Sequence, residues 1–82
     1  MPGRKSPSLR KSPVAVALGK VIYARRKHLG LTQEDFAELV ELSKNYVGNI
    51  ERGDYEVSIS TLHQIGQALG TTASYLIEQA GY

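Results

Sequence analysis

The chain has 82 residues, no cysteine, 41% hydrophobic residues and a formal net charge of +2. That length sets one domain near the lower limit of independent stability; the missing cysteine excludes a disulfide framework, a thiolate nucleophile and a thiolate metal site, and the apolar content excludes wholesale disorder. The charge is unevenly placed: eight basic residues and no acid precede His28, while two basic residues (Lys44, Arg52) and all eight acids follow, so the halves carry +8 and −6 and point to an arm or face that meets a polyanion.

Residues 1–13, MPGRKSPSLRKSP, hold all three prolines and two copies of Lys-Ser-Pro. They read as a flexible basic arm that either follows a nucleic-acid groove or stays a solvated tail. The domain proper is expected over residues 14–82. Its first apolar run, VAVAL at residues 14–18, is too short for a secretory signal core. No stretch approaches the roughly 20 apolar residues of a membrane span, so a soluble, cytoplasmic protein is expected.

A first helix fits Val14 to Leu29, with Val14, Leu18, Val21, Ile22 and Leu29 on one stripe. Arg25, Arg26, Lys27 and His28 fill its last turn, where cations favour the helix dipole, and Gly30 ends it. Thr32 caps a second, short helix, with Asp35 completing a capping box and Phe36, Leu39 and Val40 facing inward. Ser43 caps a third, with Val47 and Ile50 inward, Tyr46 on the flank and Gly53 at its end. Asp54 to Val57 form a loop. Ser58 caps a fourth helix with the stripe Ile59, Leu62, Ile65 and Leu69. Thr72 caps a fifth, from Ala73 to about Ala80, carrying Tyr75, Leu76 and Ile77. No period-two pattern competes, so the expected fold is all-α with five short helices.

About three residues join the second and third helices, so these must cross steeply, as in a helix-turn-helix. The wheel places Lys44, Asn45, Gly48, Asn49 and Arg52 on the outward face of the third helix. That face has no acid and no large hydrophobe. Asn can pair with adenine N6 and N7, and Lys can reach guanine O6 and N7. Ser43 and the N–H groups it does not cap lie where a phosphate would bind. Gly48 reads as a place where bare backbone approaches DNA. The plain alternative is a solvated helix face.

The stretch LGLTQEDFAELVELSKNYVGNIERGD resembles the helix-turn-helix of the Cro and phage-repressor group, the XRE family. It carries L-T-Q-E-D-F-A, a short turn, then Y-V-x-x-I-E-R-G, and the similarity runs from about Leu18 to Leu76. The resemblance implies a five-helix repressor-like domain that binds double-stranded DNA as a homodimer and regulates transcription. It implies that Ser43, Lys44, Asn45 and Asn49 face bases or flanking phosphates, and that Gln33, Tyr46 and Arg52 meet the DNA backbone, Gln33 also bracing the recognition helix. It pairs Glu51 with an arginine late in the first helix, Arg26, with Arg25 as the rival. It puts a dimer face after Ile65, at Tyr75, Leu76 and Ile77. Two positions depart from the family pattern: Glu41 stands where a turn glycine is usual, and Val57 where proline is usual. Length and motif fit the controller proteins of restriction–modification systems or small phage repressors, which act at their own promoters. The competing class is an antitoxin that binds a toxin and represses its operon.

An enzyme is not expected. The only histidines, His28 and His63, are too few for a metal site. No nucleophile or phosphate-cradling motif is present, and Glu34-Asp35 are explained by a helix N-terminus. No cofactor and no small-molecule ligand are evident.

Overall fold

The computed structural model describes residues 12–82; most of the basic arm, residues 1–11, lies outside the described residues. Five helices follow one another: α1 (Pro13–His28), α2 (Gln33–Val40), α3 (Lys44–Glu51), α4 (Ile59–Ala68) and α5 (Ala73–Gln79), with no strand among the described residues. Each begins on a Ser or Thr whose hydroxyl accepts a backbone N–H three residues on: Ser12 from Ala15, Thr32 from Asp35, Ser43 from Tyr46, Ser58 from Thr61 and Thr72 from Tyr75. These hydroxyls satisfy donors that a helix start otherwise leaves open. α1 starts one residue earlier than the apolar stripe suggests. Pro13 belongs to its first turn, where a missing N–H does no harm.

The core gathers Leu18 and Ile22 from α1, Phe36 and Val40 from α2, Val47 and Ile50 from α3, Leu62, Ile65 and Leu69 from and just beyond α4, and Leu76 from α5. Four expected core residues are instead exposed: Val14, Leu29, Leu39 and Ile59. Val14 and Ile59 sit in first turns that overhang the packed layer, and Leu29 lies past the end of α1. On α2 the buried trio is Phe36, Ala37 and Val40, which rolls the helix and leaves Leu39 on the rim.

α3 packs against both α1 and α2, and α5 against α1 and α4. The α1–α3 crossing is close because Gly19 has no side chain. A Cβ there would lie 2.5 Å from the Ile50 carbonyl oxygen and 2.7 Å from that of Glu51. Arg25 ties α1 to the end of α4, its Nε donating to the Leu69 carbonyl at 3.0 Å.

The α2–α3 turn keeps its left-handed residue without glycine. Glu41 adopts φ 58° and ψ 41°. Its N–H donates to the Glu38 carbonyl at 3.2 Å and the Leu42 N–H donates to that of Ala37 at 2.9 Å, the paired pattern that closes a helix C-terminus. Leu42 is half-buried against the core and anchors the turn. A left-handed non-glycine residue costs about 1–2 kcal/mol, so Glu41 holds strain that these contacts outweigh. Val57, in the proline position of the next loop, also packs against the core.

Candidate nucleic-acid interface

α3 is eight residues long and built from mediocre helix formers, KNYVGNIE. Its position is therefore set by packing and by one buried polar cluster. At about 100° per residue, Val47, Ile50 and Glu51 fall on one side, and all three are buried. The Glu51 carboxylate meets three donors: Arg26 Nε at 2.6 Å, Arg26 Nη2 at 3.0 Å and Gln33 Nε2 at 3.0 Å. The Arg26 and Glu51 side chains are only 6% and 4% exposed. Arg26 also donates through Nη1 to the Leu31 carbonyl at 2.8 Å and lies 5.2 Å from the centre of the Tyr23 ring. The hydrogen bond to Glu51 raises the Arg26 pKa above its ordinary value, against the desolvation that lowers it. Arg26, not Arg25, is thus the partner of Glu51. The cluster locks the end of α1, the start of α2 and the end of α3 together.

The opposite side of α3 is open. Asn45 and Arg52 are exposed there and Asn49 is half-buried, while Lys44, also exposed, lies in the first turn beside the start of α2. Ser43 is exposed, with its hydroxyl engaged by the Tyr46 N–H at 3.0 Å. Tyr46 lies on the flank, half-buried, its ring 5.5 Å from that of Tyr55. Beside this face an open cleft of about 540 Å³ runs between the starts of α2 and α3, lined by residues that include Arg26, Lys27, Gln33 and Lys44. The sequence marks Lys27 only as a helix-end cation, whereas in the fold it lines the same cleft as Gln33 and Glu34.

Two assignments change. Gly48 is buried rather than outward-facing, because the Arg52 and Gln33 side chains cover it. Its missing side chain makes room for these two side chains. Leu76 is wholly buried in the core of a single chain, so it is unavailable to a second copy; Tyr75 is 41% exposed and Ile77 partly buried. The apolar stripe of α1 does not single out Gly19, although a glycine inside a helical pattern is itself a sign of close approach. Among the described residues no group of three or more His, Cys, Asp or Glu side chains could hold a metal ion, and no helix is long and apolar enough to cross a membrane.

A short helix joined by a three-residue turn to a bracing helix, braced from beneath and bearing a hydrogen-bonding face without a carboxylate, defines a helix-turn-helix DNA-binding module. The helix-turn-helix family HTH_3 matches residues 22–76, and the chain belongs to that family of DNA-binding transcriptional regulators, which are not enzymes. It is 40% identical over 62 residues to the immunity repressor protein of Bacillus phage phi105, a match covering 76% of this chain but only 43% of that repressor. Among solved structures, the fold is similar to the clp gene regulator ClgR of Corynebacterium glutamicum, with a TM-score of 0.82 and 29% identity, covering 88% of this chain and 77% of that one. It is also similar to the restriction–modification controller protein C.AhdI of Aeromonas hydrophila, with a TM-score of 0.73 and 34% identity, covering 76% of this chain and 94% of that one.

Proposed function

We propose that the protein is a sequence-specific regulator that binds a palindromic operator as a homodimer, with α3 in the major groove. The observation that carries this reading is the pairing of a rigidly seated α3 with an outward face free of acids. The buried Arg26–Glu51–Gln33 cluster fixes the helix from below, Asn45 and Asn49 stand on the other side, and Lys44 lies at the margin beside α2. In this reading Lys44, Asn45 and Asn49 read base edges, with Ser43 at the flank. Gln33, Tyr46 and Arg52 meet phosphates, and so does Lys27, which lines the same cleft as Gln33. Tyr75 and Ile77 contribute to the contact between copies, and the two-fold axis sets half-sites about one DNA turn apart. Likeness to a phage immunity repressor and to a restriction–modification controller supports control of the promoter of its own gene.

The test is salt-titrated binding to the DNA upstream of its own gene. Asn45→Ala should weaken binding to that site by about 1–3 kcal/mol and leave binding to random DNA nearly unchanged. An equal loss on both would show that Asn45 does not read bases.

A further inference from the structure

Gly48, Asn49, Arg52 and Asp54 meet at the C-terminal end of α3. The chain leaves the helix through Gly53 in the left-handed region, φ +78°. The Gly53 N–H donates to the Ile50 carbonyl at 3.0 Å and the Asp54 N–H to that of Asn49 at 2.9 Å, again the closing pattern of a helix. A Cβ on Gly53 would lie 2.6 Å from Val16 Cα, so this turn sits directly on α1. The turn brings the Asp54 carboxylate to Arg52, whose Nε donates to it at 3.1 Å. The guanidinium then folds back along α3 into the space that Gly48 leaves. A Cβ on Gly48 would be 3.1 Å from Arg52 Nη1. From that seat Nη2 donates to the side-chain oxygen of Asn49. A guanidinium has donors only, so the atom it meets must be the amide oxygen, and the planar amide turns its NH₂ group to the other edge.

We infer that Arg52 is a positioning residue for base recognition. Held between Gly48 and Asp54, it fixes the Asn49 amide so that the NH₂ edge faces the groove. Asn49 then accepts bases that offer an acceptor there: purine N7, guanine O6 or thymine O4. It rejects cytosine, whose major-groove edge offers only the N4 donor. An unrestrained asparagine would turn its amide over and accept cytosine through its oxygen. The inference rests on the reading that α3 enters the major groove.

The experiment measures binding to operators carrying each of the four bases at the position that Asn49→Ala identifies, for wild type, Arg52→Met and Arg52→Lys. The wild type should disfavour cytosine by about tenfold or more, in line with one good base contact. Both variants should lose roughly three- to tenfold of that rejection, a single hydrogen bond's worth. Arg52→Lys keeps the charge but not the planar fork, so it should retain the salt dependence of wild type while still tolerating cytosine. A uniform loss on all four sequences in Arg52→Met overturns the inference, and so does full wild-type discrimination in Arg52→Lys; either makes Arg52 a phosphate contact alone. In the free protein, nitrogen relaxation of the Asn49 side-chain amide should report restraint in wild type and mobility in Arg52→Met. Equal mobility in both also overturns it. A wild-type protein without preference at any base pair removes base recognition itself, and this role of Arg52 with it, whatever the amide shows.

Discussion

Replacing Glu51 by Gln keeps the shape of the side chain and removes its charge. Arg26 would then remain charged with its side chain 6% exposed and no counter-ion. Two charge-assisted hydrogen bonds from Arg26, at 2.6 and 3.0 Å, would be weakened or broken. At roughly 1.5–3 kcal/mol each, they give about 3–6 kcal/mol, which agrees with the 3–5 kcal/mol expected when one partner of a buried pair is removed. The new amide nitrogen would also face donors from Arg26 or Gln33. For a small domain each kcal/mol is worth about 4–8 °C in melting temperature, so Glu51→Gln should lower it by at least about 12 °C. Urea unfolding followed by circular dichroism measures the free-energy loss directly. The double variant Arg26→Met, Glu51→Leu removes both charges and fills similar volume, and should recover most of what Glu51→Gln loses. A loss under about 1 kcal/mol in Glu51→Gln would mean that the pair is effectively solvated. A double variant no more stable than the single one would show that the loss is packing, not a stranded charge. The arginine end adds no pH dependence. Its pKa is raised in the fold, so its contribution is complete below the unfolded value and disappears only above it, beyond any pH at which the protein is handled.

Gly19→Ala gains up to about 1 kcal/mol of helix propensity, but its Cβ would press on the Ile50 and Glu51 carbonyls at 2.5 and 2.7 Å. It should destabilise by about 1–3 kcal/mol net in urea unfolding and weaken DNA binding further by shifting α3; a stabilised variant would show that the crossing yields easily. Glu41→Gly relieves a left-handed residue at φ 58° and should stabilise by about 1 kcal/mol by the same measurement; a loss would mean that the Glu41 side chain holds the turn. Deleting residues 1–11 removes Arg4, Lys5, Arg10 and Lys11. If the arm lies along DNA, the slope of log affinity against log salt should become shallower by about 0.9 for each phosphate the arm had neutralised; an unchanged slope makes it a solvated tail.

Much of this fold is legible because its signals are local. Thr32, Ser43, Ser58 and Thr72 mark helix starts through bonds to residues three positions on, and Gly30 and Gly53 mark ends through their own backbone. What remains illegible depends on packing between residues distant in the chain. Leu39 and Ile59 have the right spacing for the core, yet whether a short helix rolls a few tens of degrees is decided by its neighbours. Arg25 and Arg26 are adjacent and chemically identical; only the rotation of α1 sends Arg26 to Glu51 and Arg25 to the end of α4. Gly48 lies near the edge of the outward arc, where the wheel gives no answer. It is covered because an arginine four residues on folds back over it.

The division of labour within α3 explains why so poor a helix former persists. An isolated eight-residue helix is unstable in water, so α3 exists only because Val47, Ile50 and Glu51 bind it to α1 and α2. Stability is thereby concentrated on one side of the helix. Asn45 and Asn49, on the other, contribute little to folding and, in the proposed reading, are free to serve recognition. The glycine that weakens the helix belongs to the same arrangement. An alanine at position 48 would strengthen α3 but crowd the guanidinium of Arg52, which orients Asn49. The local rule is broken at the point where a side chain of the binding face must be held still, and the buried cluster beneath supplies what the helix itself lacks.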